Sequence, residues 1–127
     1  MALPVGASVE ATPNFLATLR EAHVFFVAQD ADTADARFHK LKTRLREMAA
    51  LLSWSPASGR RARFFNARSI QARMRAEAVS RLAEQAGLPN LREHIVDRHI
   101  VLYAHSDTEV VLLALKHQRQ LTYGAEP

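Results

Sequence analysis

The sequence predicts an α+β domain: a short N-terminal strand and a helical hairpin packed on a C-terminal antiparallel meander, with an extra Arg-rich helix inserted before the meander. Three observations predict it. Phe38, Leu41, Leu45, Met48 and Leu52 recur at steps of three and four, the apolar stripe of an amphipathic helix. The runs Ile100–Ala104 and Val110–Leu115 flank the four polar residues Ser106-Asp107-Thr108-Glu109, a length that suits a hairpin turn. Between them Ile70, Met74, Ala78 and Leu82 recur every four residues, and Gly87 then Leu88-Pro89 stop that helix.

Taken in order, Val9-Glu10-Ala11 reads as a first strand. Thr12-Pro13 starts a helix, Thr as N-cap and Pro at the first position where its missing N–H does no harm. That helix runs to about Ala28, its stripe formed by Phe15, Leu19, Ala22 and Phe26. His23 on the stripe reads as a core-edge histidine with a satisfied hydrogen bond. Gln29–Asp32 breaks the helix, and Asp32 or Thr33 caps the next. Ser53–Arg60 is a loop by composition, with Trp54 expected to cap the edge of the core. Arg63-Phe64-Phe65 is a strand edge or an apolar anchor, and the third helix spans about 67–86. Leu91–Val96 adds a strand to the meander across Asp97-Arg98.

Alternation splits the meander into two faces. With residue 100 opposite 115 and 95 opposite 100, one face carries Leu91, Glu93, Ile95, Ile100, Leu102, Ala104, Val111, Leu113 and Leu115. The other carries Arg92, His94, His99, Val101, Tyr103, Leu112, Ala114 and Lys116, with His117, Arg119 and Tyr123 just beyond. The first face is expected to pack on the helical hairpin. The second is either a functional surface or a solvated outer face.

At 127 residues the chain has the size of one domain, 1–127, with a single core. It has no cysteine, so no disulfide framework and no thiolate metal site is expected, which suits a cytoplasmic setting. Residues 1–7 lack a basic region and a long apolar stretch, so no signal peptide is expected, and no membrane span is visible. The net charge is +4, yet the segment from Arg60 to Arg81 holds seven arginines and one acid, a local +6 that leaves −2 elsewhere. Such a balance points to an acidic partner, nucleic acid or protein. The all-Arg choice suits bidentate contact with carboxylate or phosphate, and Arg68, Arg73 and Arg75 on the inserted helix are candidate partner contacts.

Six histidines include no His-x-x-x-His pair on an expected helix, and no Gly-rich phosphate loop or nucleophile turn is present. No metal or cofactor is expected. Metal-free RNA cleavage needs only a base, an acid and cations around a phosphodiester, and Arg92, His117, Lys116, Arg119 and Tyr123 contain those types.

Leu91-Arg92-Glu93, His99-Ile100-Val101-Leu102-Tyr103, Asp107–Leu113 and His117-Gln118-Arg119-Gln120 together resemble the C-terminal half of the RelE/ParE superfamily, the toxins of bacterial type II toxin–antitoxin modules. Pro56-Ala57-Ser58-Gly59-Arg60 resembles the turn that ends the family's second helix. The inserted helix departs from the compact family pattern. The resemblance implies a growth-arresting, plasmid-stabilising toxin held by a cognate antitoxin, an acidic amphipathic segment lying between hairpin and sheet. DNA contact is then made only through the antitoxin. It also implies one of two targets. A ParE-like toxin binds DNA gyrase, and the His117–Gln120 ending is closer to that branch. A RelE-like toxin cleaves mRNA on the ribosome, its catalytic roles falling on Arg92, His117 or Arg119, and Tyr123; the lysine pair that some of those nucleases carry has no counterpart here. For the binding branch, His94, Tyr103 and Lys116 join the inserted helix's arginines as target or partner contacts. A basic interaction domain without toxicity is the remaining alternative.

Overall fold

The computed structural model of the chain describes residues 6–62, 70–120 and 123–124, the side chains at 70–73, 75 and 76 excepted. Strand β1 (Ser8–Ala11) leads into the antiparallel helices α1 (Pro13–Gln29) and α2 (Ala31–Trp54). A 3-10 turn (Pro56–Ser58), the short strand β2 (Arg60–Arg61) and helix α3 (Ile70–Ala86) follow. The chain closes with β3 (Asn90–Val96), β4 (His99–His105) and β5 (Glu109–His117). The five strands lie in the order β1-β5-β4-β3-β2, with β1 parallel to β5 and the other neighbours antiparallel.

Local chemistry sets the boundaries. The Thr12 hydroxyl accepts from the Phe15 N–H (3.1 Å) with Pro13 behind it, so α1 begins where the sequence predicts. Asp30, rather than Asp32 or Thr33, caps α2: its carboxylate accepts from the Asp32 N–H at 3.1 Å, which leaves the hairpin link a single residue. Helix α2 runs on through Trp54, which is 65% exposed at its end and does not cap the core. His23 is the core-edge histidine expected, 3.0 Å from Asp35 and stacked on Phe38. In the β4–β5 turn the Ser106 hydroxyl accepts from the N–H groups of Thr108 and Glu109, which closes a turn that has no glycine. Asp97 at the β3–β4 tip has φ 53°, a left-handed conformation that Asp tolerates better than most residues.

The face assignment needs correction. The hairpin packs on Val96, Val101, Tyr103, Val110, Leu112 and Leu115, while α3 packs on Ile100, Leu102, Ala104, Leu113 and Ala114. The mixed face that carries Arg92, His94, His99 and Tyr103 is therefore the one beneath the hairpin, and the more apolar face lies beneath α3. Both sides of the sheet are covered. The inserted helix explains the exchange: its buried Ala78 and Val79, with Leu82, Ala83 and Ala86, need an apolar wall, and the uniformly apolar face supplies it.

A bulge completes the change. Leu102 pairs with Ala114 but Tyr103 with Leu112, so β5 holds one extra residue and its parity flips. Ile100 sits opposite Lys116, not Leu115. Leu115 turns to the hairpin, and Ala114 to α3. The backbone groups around the bulge are met by α1: the Thr18 hydroxyl accepts from the Leu115 N–H (3.0 Å), and Asn14 donates to the Leu113 carbonyl (2.9 Å). Arg63–Phe65, Arg68 and the expected first turn of the third helix lie outside the described residues, as do the side chains of Arg73 and Arg75.

Candidate functional site

The residues nominated from sequence divide into three groups. Arg92 and Tyr103, opposite each other on β3 and β4, hold the turn after α2. The Tyr103 hydroxyl donates to the Pro56 carbonyl (2.7 Å) and accepts from the Gly59 N–H (2.9 Å). Arg92 donates to the Gly59 carbonyl (3.0 Å) and to His105 Nε2 (3.0 Å), which sets the His105 ring proton on Nδ1, toward the Ser106 carbonyl. A Cβ on Gly59 would stand 2.6 Å from the Tyr103 hydroxyl, so the glycine is required by close approach. Tyr103 is fully buried, and burial pushes its phenol up. These residues are interior structure, not a contact surface. His94, on the same face, is half-buried, and burial lowers its imidazole.

The second group lies on the opposite face. Tyr123 packs into the α3 cluster and hydrogen-bonds the buried Glu93 carboxylate. Burial first, and that bond second, push its phenol up. Arg60 Nε stands 3.5 Å from the other Glu93 oxygen. Lys116 turns its ammonium to this side, 5.3 Å from the Tyr123 ring centre and 3.0 Å from the Gln120 carbonyl. Burial lowers the Lys116 ammonium, partly offset by Glu93.

The third group, His117 and Arg119, borders a cleft of about 1000 Å³ between α1, α2, the β3–β4 tip and the end of β5. Arg37 and Lys40 enter it from α2, Arg98 from the tip and Arg119 from beyond β5, against Glu21 and Asp97. Asp97 is also 3.7 Å from Arg44. Phe26 and the cross-strand pair His99 and His117 lie against its apolar side, the two imidazoles edge to face at 5.3 Å. Arg37 stacks on the Phe26 ring at 4.3 Å, and Phe25 is half exposed beside His117. His99 is only 7% exposed; burial first, then His117 and Arg37, hold it down to about 4 against an opposing pull from Asp97. Burial and then Arg119, Arg98 and Arg37 also lower His117.

This arrangement is cationic with an apolar rim, and it is suited to hold an anionic, amphipathic partner. It is not an assembled RNA-cleaving centre. Arg92 is committed to Gly59 and His105 beneath the hairpin and Tyr123 to Glu93 beneath α3, while His117 and Arg119 border the cleft with Lys116, whose ammonium turns away to the Tyr123 side. Sequence reasoning missed Arg37, Lys40 and Arg98 as members of one site. The signal was present for two of them, since Arg37, Lys40 and Leu41 fall on one side of α2 at steps of three and four.

Among the described residues no group of His, Asp or Glu is placed to hold a metal ion, and no helix is long and apolar enough to cross a membrane. No family model matches the chain, and no curated protein matches it.

Proposed function

We propose that the chain is the toxin of a type II toxin–antitoxin module, ParE-like in acting by binding DNA gyrase, and neutralised by an acidic segment of a cognate antitoxin. The observation that carries this reading is the basic cleft: it lies between hairpin and sheet, beside the His117–Gln120 segment that resembles the family's ending. Arg37, Lys40, Arg98 and Arg119 supply the charge that an acidic helix needs, and Phe25 supplies an apolar anchor point. The reading draws nothing from an open sheet front, because Arg92 and Tyr103 face inward. Their engagement, with that of Tyr123, favours the binding branch over RNA cleavage.

Purified protein is expected to block plasmid supercoiling by gyrase and to arrest growth when expressed alone. Arg37→Ala with Arg119→Ala is expected to weaken capture by an acidic partner while the protein stays folded, with only the small loss of thermal stability that goes with the Arg37 stack on Phe26. Normal supercoiling at a large molar excess rejects the gyrase target. Cleaved messenger in a translating extract would move the reading to the ribosome-dependent branch, and unimpaired growth on expression would reduce it to a non-toxic binding domain.

A further inference from the structure

We infer that His99 and His117 form a proton-coupled carboxylate site on the wall of the basic cleft, so that one acidic side chain of the bound segment docks there as an imidazole takes up a proton. The inference rests on the reading of the cleft as the seat of an acidic protein segment, and adds which residues sense the carboxylate and how pH controls it.

Two imidazoles directly opposite each other on neighbouring strands repel once both are charged. Every element packed around them adds charge: Glu21 from α1, Arg37 and Lys40 from α2, Asp97 and Arg98 from the tip, Lys116 from β5 and Arg119 from beyond it. Arginine outnumbers carboxylate there, so in the free protein the pair stays neutral near pH 7. An incoming carboxylate reverses the balance, because it offers the opposite charge that the imidazoles lack.

The two rings have different parts. His117 Nδ1 accepts from the Arg119 N–H (3.2 Å), so the neutral ring carries its proton on Nε2, free to donate to a carboxylate oxygen. Protonating His117 at Nδ1 would break the Arg119 bond. His99 has no hydrogen bond to its ring among the described residues, although it is nine-tenths buried and borders the cleft. It can accept a proton from solvent without losing a bond. The bound state therefore places the added proton on His99, with His117 donating from Nε2.

The sign follows from linkage. Free imidazoles lie below their ordinary value and bound ones above the free, so affinity rises as pH falls through the bound-state values and levels off below the free-state ones. The test uses a rhodamine-labelled oligoaspartate peptide and the intact protein at low salt. Its affinity should rise by about tenfold or more between about pH 7.5 and about pH 5.5, one proton giving up to tenfold per pH unit. His99→Gln should remove most of that rise, whereas His117→Gln, which keeps an N–H donor, and His39→Gln, at an exposed position outside the cleft, should preserve it. NMR titration of the imidazoles should show the His99 and His117 values climbing when peptide saturates the protein, a measurement that does not depend on a variant folding. Saturable binding with a flat pH profile or unmoved imidazoles overturns the proton coupling alone. Absence of saturable binding at every pH overturns both it and the cleft reading.

Discussion

The sheet buries one tyrosine on each side, and the two are held in different ways. Tyr103, beneath the hairpin, is satisfied by neutral backbone: a carbonyl from Pro56 and an N–H from Gly59. Tyr123, beneath α3, is satisfied by the charge of Glu93, which also faces Arg60. The first side is a packed apolar core whose tyrosine is riveted to neutral backbone; the second is a smaller core built around a buried carboxylate. A rivet to backbone fixes the path of the chain, while a buried charge makes stability depend on every donor around it.

Substitution tests that contrast, the largest effect coming first. Tyr103→Ala is expected to cost about 3–5 kcal/mol, since it opens a cavity and orphans the two Gly59 and Pro56 groups. Tyr103→Phe should cost about 1–3 kcal/mol by losing the hydroxyl alone. Urea unfolding midpoints measure both, and a neutral Tyr103→Phe would mean that the turn holds itself.

Tyr123→Phe is expected to cost roughly 2 kcal/mol, since it takes a donor from a buried carboxylate. Growth arrest should survive it at a temperature where the variant is folded. Loss of toxicity with unchanged stability would instead assign the phenol a functional role.

The smallest effect is a pH dependence on the hairpin side. His99 is lowered to about 4 in the folded protein, from an unfolded value of 6.5, so the unfolded chain binds more protons between these values. The contribution is fully present above 6.5 and is lost as pH falls toward about 4. Full linkage of about 1.4 kcal/mol per unit is discounted to roughly 1 kcal/mol in all, because the ring borders an open cleft. His99→Phe should flatten that part of the stability profile; an unaltered acid limb would place the sensitivity elsewhere.

Element types and order were legible because periodicity and punctuation agreed: Thr12-Pro13, the stripe from Phe38 to Leu52, and Gly87 before Pro89 each say the same thing at two levels. The composition of the faces on β3 and β4 was legible too. Which face met which helix was not, since two helical layers compete for one sheet and periodicity does not state the layer. Nor was the bulge at Leu113, where every residue from Leu112 to Leu115 is apolar or small and alternation gives no register mark. Arg92 and Tyr103 misled for a related reason. A polar tip on an interior strand looks like a surface residue until its backbone partners are visible, and those partners sit in the turn at Pro56–Gly59. The cleft was hardest to foresee, because its cations come from three separate stretches of chain.

The parallel pairing of β1 with β5 has a temporal consequence. Thr12 and the Leu112 carbonyl that it binds are 100 residues apart, so this sheet edge closes one of the longest loops the chain can form. Loop closure of that span is entropically costly before its contacts repay it. The helical hairpin and the meander can each collapse through local contacts, and the stitch between residues 8–12 and 109–113 is expected to be the late, rate-setting event that joins them.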